Sequence, residues 1–122
     1  GESVIGFCSA GVTPHGVQLY RLYLLPEYTG QGIAREFCLR VEQFALSKRE
    51  GAYFCFVDRR NETGKRFYLR GGFTHVASRD SGDDWYMLKS VGGARAATYR
   101  LMNAAKRRVL SCHSAPGAVP VP

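Results

Sequence analysis

Two glycines, Gly30 and Gly32, flank Gln31 in the stretch PEYTGQGIAREF, positions 26–37, at the mouth of a segment with helical periodicity. Lacking Cβ atoms, they let the backbone take left-handed dihedrals and let other atoms come close. The first N–H groups of a helix lack internal partners and carry partial positive charge. Together these features suit an anion, above all a phosphate. An ordinary strand-to-helix turn accounts for the same residues, and a lone G-x-G does not choose between the two. Arg35 lies beside this loop and would be its first basic neighbour. Lys65 and Arg66, early in a second helical segment, are either further phosphate contacts or a solvated face. Nucleophilic chemistry is not indicated: Cys38 and Cys55 lie among apolar residues without a base partner. The four cysteines, Cys8, Cys38, Cys55 and Cys112, form no C-x-x-C pair, so no metal site is expected. Buried free thiols at Cys8, Cys38 and Cys55 in a reducing cytoplasm are the simplest reading.

The elements that position these residues follow from hydrophobic patterning. The 122 residues, 45% of them hydrophobic, suit one domain. No apolar run reaches the length of a membrane span, and no secretory leader is expected. A strand is expected at 3–10, a Gly/Pro turn over 11–16, and a second strand at 17–25, ended by Pro26. Ile33, Phe37, Val41, Phe44 and Ala45 trace one face of a helix that Gly51 closes. The run AYFCFV at 52–57 reads as a central strand covered on both faces. A helix over the RRNETGKRFYLR segment ends at the Gly71–Gly72 pair, and strands at 74–78 and 84–90 follow, joined by a turn. The expected fold is α/β (α+β): a mixed, mostly antiparallel sheet with the first helix as a βαβ crossover. Residues 1–90 form the domain, 91–110 a basic helical extension, and 111–122 a Pro-rich disordered tail.

Charge is unevenly placed. Six of the 17 basic residues lie from Lys89 onward, with no acidic residue among them, which leaves 11 basic against 10 acidic in the body. Any contact with nucleic acid would therefore belong to the tail. That tail lacks interleaved aromatics other than Tyr99, so nucleic acid is not the expected partner.

Two separated motifs resemble those of the GNAT superfamily of acyl-CoA-dependent N-acetyltransferases, over roughly residues 3–90. The first resembles Q/R-x-x-G-x-G/A and falls on Thr29, Gly30, Gln31, Gly32, Ile33 and Ala34. Gly32 and Ala34 fit it, and Thr29 replaces the usual Gln or Arg. The second resembles N-x-x-A-x-x-F-Y-x-x-x-G-F and falls on Asn61, Gly64, Phe67, Tyr68, Gly72 and Phe73, with Gly64 in place of Ala. The resemblance implies acetyl-CoA as acyl donor. It places the pyrophosphate on the amides of residues 29–34 with Arg35 nearby, and the pantetheine arm along Leu22, Leu24 and Leu25. The arm enters a gap where that strand splays from AYFCFV. Asn61 would bond the arm, and would equally serve as a helix N-cap. Tyr68 would protonate the departing thiolate, a task that suits a neutral phenol.

The implied activity is acetyl transfer to a primary amine of a small molecule or peptide by direct attack, in the cytoplasm. A non-catalytic CoA-binding module of the same fold is the alternative. No residue stands out as the base: Glu27, Asp58, His15 and His75 each have a plainer explanation. The family usually carries a strand and a helical pair ahead of the segment that opens here. Self-association, or cover from residues 94–110, is expected to shield the sheet face that they would occupy.

Overall fold

The computed structural model describes residues 5–92 and 111–114. In chain order these form β1 (Gly6–Thr13), β2 (Gly16–Leu24), α1 (Ile33–Ser47), β3 (Ala52–Asp58), α2 (Glu62–Arg70), β4 (Thr74–His75), β5 (Asp84–Ser90) and β6 (Ser111–Ser114). Six strands make one sheet in the order β4-β5-β3-β2-β1-β6. β2 and β3 are parallel, with α1 as their crossover, and β6 runs parallel to β1. The remaining pairs are antiparallel. The expected mixed, mostly antiparallel sheet is therefore present.

The core lies between the sheet and its two helices. Ile33, Phe37, Val41 and Ala45 of α1 are buried against Cys8, Ala10, Val17 and Leu19 of the first two strands and against Tyr53, Cys55 and Val57 of β3. Phe67 and Tyr68 of α2 pack on the same cluster, so both helices cover one face. Burying each large apolar side chain contributes about 1.5–3 kcal/mol, which holds α1 to the sheet. On the other face Phe54 is buried and stacks on Tyr86 with ring centroids 5.0 Å apart. Phe56, however, is 37% exposed, so β3 is not covered on both faces along its length.

Other expectations are corrected. The turn over 11–16 is shorter, because β1 runs on to Thr13, which pairs with Gly16 across Pro14 and His15. Thr13 closes this turn: its hydroxyl donates to the Gly16 carbonyl (2.8 Å) and accepts from the His15 amide (3.0 Å). α1 ends at Ser47, ahead of Gly51, with the Lys48 amide bonded back to the carbonyls of the last turn. Residues 111–114 form a strand and not part of a disordered tail, with Cys8 and Cys112 facing each other in register. Cys8 is disulfide-bonded and so is not a free thiol, whereas Cys38 and Cys55 are free and buried. The helix expected over 91–110 and the cover expected from 94–110 lie outside the described residues from 93 on.

The strand expected at 74–78 stops at His75 because Asp80 draws the chain away. Its carboxylate accepts from the Tyr86 amide (2.8 Å) and meets His75 Nε2 (2.9 Å), and residues 77–79 turn as a 3-10 helix between them. The Tyr86 amide, then His75, holds the Asp80 carboxyl below its ordinary value. A depressed carboxylate stabilises the fold above its unfolded-state pKa, and that stabilisation is lost as pH falls through the folded-state value. Melting curves followed downward from neutral pH should therefore show a steeper loss of stability in the natural chain than in Asp80→Asn. Parallel curves for the two proteins would remove Asp80 from the acid response.

Candidate active site

A fork between β2 and β3 organises the site. Ser9 pairs with Arg21 and Ala10 with Leu19, so Tyr20 is an extra residue on β2, a bulge. A bulge bends its strand and increases the local twist. It also changes which side chains point inward: Val17 and Leu19 before it, Leu22 and Leu24 after it. Parallel pairing between β2 and β3 covers only Val17–Tyr53, Gln18–Phe54 and Leu19–Cys55, ending just before the bulge. Beyond Cys55 the two strands have no ladder between them, and the open edge of β2 faces a gap. An extended chain can pair with such an edge through main-chain hydrogen bonds. Leu22 and Leu24 lie on this stretch. Leu25 does not extend it, because its amide donates to Ile5 O (2.9 Å) and its carbonyl accepts from Tyr28 N (2.9 Å).

The glycine loop stands at the open end of the fork. Residues 26–28 form a 3-10 turn, and the Thr29 hydroxyl donates to Pro26 O (2.8 Å). The Gln31 side chain reaches back toward Glu27 O (3.4 Å). Gly30 and Gly32 have φ of +78° and +81°, and a Cβ at either would meet nothing within 4 Å. These glycines are thus required by backbone conformation and not by space. Gly32 caps α1, with no side chain closing the helix end. The first helical bond runs from Glu36 N to Gly32 O (3.1 Å), so the amides of Ile33, Ala34 and Arg35 precede the ladder. The whole of 29–32 is exposed, as is Arg35.

α2 brings the phenol to the base of the fork. Asn61 caps this helix, accepting from Gly64 N at Oδ1 (2.9 Å). A Cβ at Gly64 would lie 2.5 Å from Asn61 Nδ2 and 3.1 Å from Val57 Cγ2, so glycine at this position gives the folded-back cap its room. Tyr68 packs edge-to-face on Phe67 and Phe73, with centroids 5.2 and 5.0 Å away. Cys55, the last residue of the β2–β3 ladder, is buried in the same core cluster against which Tyr68 packs. Burial, and then the neighbouring Cys55, holds the phenol well above its ordinary pKa. The group is therefore a neutral O–H donor throughout the neutral range.

Other sequence candidates lie elsewhere. Asp58, at the tip of β3, forms a salt bridge with Arg60 (3.0 Å), and the Arg60 hydrogen bonds hold its carboxyl down to about 2. A carboxylate that acidic is a poor base at neutral pH. His75 stacks flat on Trp85 (3.7 Å) and lies two strands from Cys55 through Met87. Lys65 is not part of a freely solvated face: it bonds Glu62 (2.9 Å) and sits 4.3 Å over the Trp85 ring, with 13% of its side chain exposed. Arg66 and Glu27 are exposed. His15 belongs to the hairpin at the opposite end of the sheet. There it lines an open groove of about 330 Å³ with Glu50, Phe54, Arg79 and Tyr86, away from the glycine loop.

One cluster was not foreseen from sequence. Lys89, counted there with the basic tail, is buried on β5 and bonds Glu42 of α1 at 2.7 Å, with side chains 9% and 3% exposed. The Tyr53 hydroxyl donates to the same carboxylate (3.1 Å). The available signal was Glu42 lying directly beside the apolar stripe of α1. Among the described residues no three metal-ligating side chains gather, and no helix is long and apolar enough to cross a membrane.

Comparison with known proteins gives consistent results. A family model described as an acetyltransferase (GNAT) domain matches residues 1–75. The chain is 36% identical over 90 residues to a spermidine N(1)-acetyltransferase of Thermoplasma acidophilum, a match covering 72% of this chain and 53% of that protein. Among solved structures it is similar to the PaiA N-acetyltransferase of T. acidophilum in complex with coenzyme A. That match has a TM-score of 0.58 and 32% identity, covering 64% of this chain and 48% of the other. Ard1 of Thermoplasma volcanium shares the fold, with a TM-score of 0.62 at 14% identity, covering 73% of this chain and 64% of the other. The chain thus spans about half the length of the spermidine and PaiA enzymes. With its forked sheet, its glycine loop ahead of α1 and a family domain matched over residues 1–75, the chain belongs to the GNAT acetyltransferase family.

Proposed function

We propose that this chain binds acetyl-CoA and transfers its acetyl group to a primary amine by direct attack, with a polyamine of the spermidine type as the preferred acceptor. The observation that carries the reading is the fork, which has the glycine loop at its open end and the Tyr68 hydroxyl at its base. In this reading the amides of residues 30–34 receive the pyrophosphate, with Thr29 and Gln31 shaping the loop and Arg35 beside it. The edge of β2 around Leu22 and Leu24 pairs with the pantetheine arm, and Asn61 borders it from the start of α2. The thioester then reaches the base of the fork. There the amine nitrogen attacks the carbonyl, and Tyr68 protonates the leaving sulfur. The acceptor class rests on the 36%-identical relative, whose name gives spermidine.

Calorimetric titration with acetyl-CoA, followed by turnover with a panel of amines including spermidine, tests the reading. Tyr68→Phe should keep acetyl-CoA affinity within about threefold while lowering kcat about 100-fold, the lower end of what a positioned acid contributes. Unchanged kcat in this variant would remove Tyr68 from the chemistry. A second reading, cofactor binding without turnover, draws on one observation: among the described residues no carboxylate or imidazole suited to act as base stands at the fork. Turnover with any amine rejects it.

A further inference from the structure

We propose that Phe73 is a positioning residue for Tyr68: it closes the helix that carries the phenol and ties the ring to a buried polar cluster, which keeps the hydroxyl at the base of the fork. The inference rests on the reading of Tyr68 given above and goes beyond it to a residue that touches neither acyl donor nor acceptor.

The need for such an anchor lies in α2 itself. Its nine residues include none that is fully buried, so the helix carrying the phenol rests lightly on the sheet. Phe73, just past its end, is 4% exposed. The chain between them is held in one conformation. Gly72 has φ of +96°, the left-handed setting that ends many helices. The Phe73 amide then donates back to Tyr68 O (3.0 Å), and the Gly72 amide to Leu69 O (3.3 Å). A cap with this pair of bonds sets the residue after the glycine against the helical residue whose carbonyl it meets. Here those two residues are Phe73 and Tyr68, and their rings pack edge-to-face with centroids 5.0 Å apart. Main chain and side chain couple the same two positions.

The far side of Phe73 is fixed as well. Its ring packs edge-to-face with Tyr53 of β3 at 5.2 Å, and Lys89 Nζ of β5 lies 5.5 Å from its centroid. Both neighbours are tied to one carboxylate of α1: Lys89 meets Glu42 Oε2 at 2.7 Å, and the Tyr53 hydroxyl donates to the same oxygen at 3.1 Å. Phe73 thus stands between the phenol and a cluster drawn from three elements. Edge-to-face ring pairs have a preferred direction, and a cation over a ring adds an attraction of its own. An aliphatic side chain can fill the space but supplies neither. Position matters here because an acid acts only within hydrogen-bond reach of the atom it protonates, and a misplacement of about 1 Å can cost about 100-fold in rate.

Phe73→Leu tests the assignment, since it keeps the cap amide and most of the apolar volume while removing the ring. With acetyl-CoA and spermidine as substrates, kcat should fall about tenfold while calorimetric affinity for acetyl-CoA stays within about twofold. Phe73→Met, a more adaptable filler, should lose as much and serves if leucine packs badly. Val41→Ala, in the core stripe of α1, controls for stability: it should lower the melting temperature and keep a normal kcat. An equal loss of kcat in this control would reduce Phe73 to a structural role. The deciding comparison repeats Phe73→Leu in a Tyr68→Phe background. A residue that acts through the phenol then has nothing left to position, so the double variant should be no slower than Tyr68→Phe alone. A further tenfold loss there, or a normal kcat in Phe73→Leu, would overturn the proposal and leave the acid role of Tyr68 standing. Normal turnover by Tyr68→Phe would instead remove that role, and the proposal with it.

Discussion

Replacing Lys89 by Met should destabilise the fold by about 3–5 kcal/mol, the usual consequence of removing one member of a buried ion pair. The pair is buried on both sides, with 9% and 3% of the side chains exposed and 2.7 Å between Nζ and Oε2. Met is close to Lys in length and fills the same channel beside Phe73, so loss of packing is minor. What is lost is the Lys89 cation beside a buried Glu42 carboxylate that also accepts from the Tyr53 hydroxyl. Denaturant titration gives the free energy directly. The double variant Lys89→Met/Glu42→Gln should recover much of the loss, because a neutral amide no longer needs a counter-charge. A single variant as stable as the natural chain would show that the pair contributes nothing net. Domains commonly have only about 5–15 kcal/mol in hand, so the single substitution should also lower the yield of folded protein.

Gly32→Pro should weaken acetyl-CoA binding by about 100-fold or more while leaving most of the fold in place. Proline holds φ near −65°, whereas Gly32 has φ of +81°, so the loop must rebuild rather than adjust. Rebuilding moves the free amides at the start of α1, and charge-assisted hydrogen bonds to a phosphate are worth about 1.5–3 kcal/mol each. Two such bonds account for the expected loss. Gly32→Ala is the graded control: an L-residue in the left-handed region costs about 1–2 kcal/mol, and nothing within 4 Å blocks the added Cβ. Calorimetry on the three proteins should rank them glycine, alanine, proline. Equal affinities would dissociate the loop from the cofactor. Because the loop is exposed, circular dichroism should show that each variant still folds, with a melting temperature lowered by several degrees, as the backbone cost of about 1–2 kcal/mol in alanine requires.

Much of this molecule was legible in the sequence where one element decides its own structure. The stripe from Ile33 to Ala45 states a helix and its buried face, and AYFCFV states a strand. Gly30 and Gly32 announced left-handed backbone, which is what the loop has. The features that escaped reading depend on two segments at once. The bulge at Tyr20 exists only in the register between β1 and β2. Lys89 looked like the first residue of a basic tail because its partner lies on α1, far away in sequence. β4 is cut short by Asp80, whose capture of the Tyr86 amide replaces further pairing. β6 has no apolar pattern, and main-chain pairing with β1 makes it a strand. For the site itself, spacing along α2 was enough to nominate Tyr68, and only the register of β3 shows that the β2–β3 ladder ends at Cys55 and opens the fork.

The extra residue on β2 also bears on how such a site tolerates change. Tyr20 opens the fork by being present, not by what its side chain does, since it has no partner in β1 and leaves the inward alternation to its neighbours. Substitutions at this position should accumulate freely in evolving sequences. Removal of one residue between Leu19 and Leu22 is different in kind: it restores continuous alternation, lets β2 run flush along β3, and closes the gap with every motif residue still present. Sequence identity is blind to that event. The length of a strand, counted residue by residue, is therefore as much a determinant of this site as its glycines or its tyrosine.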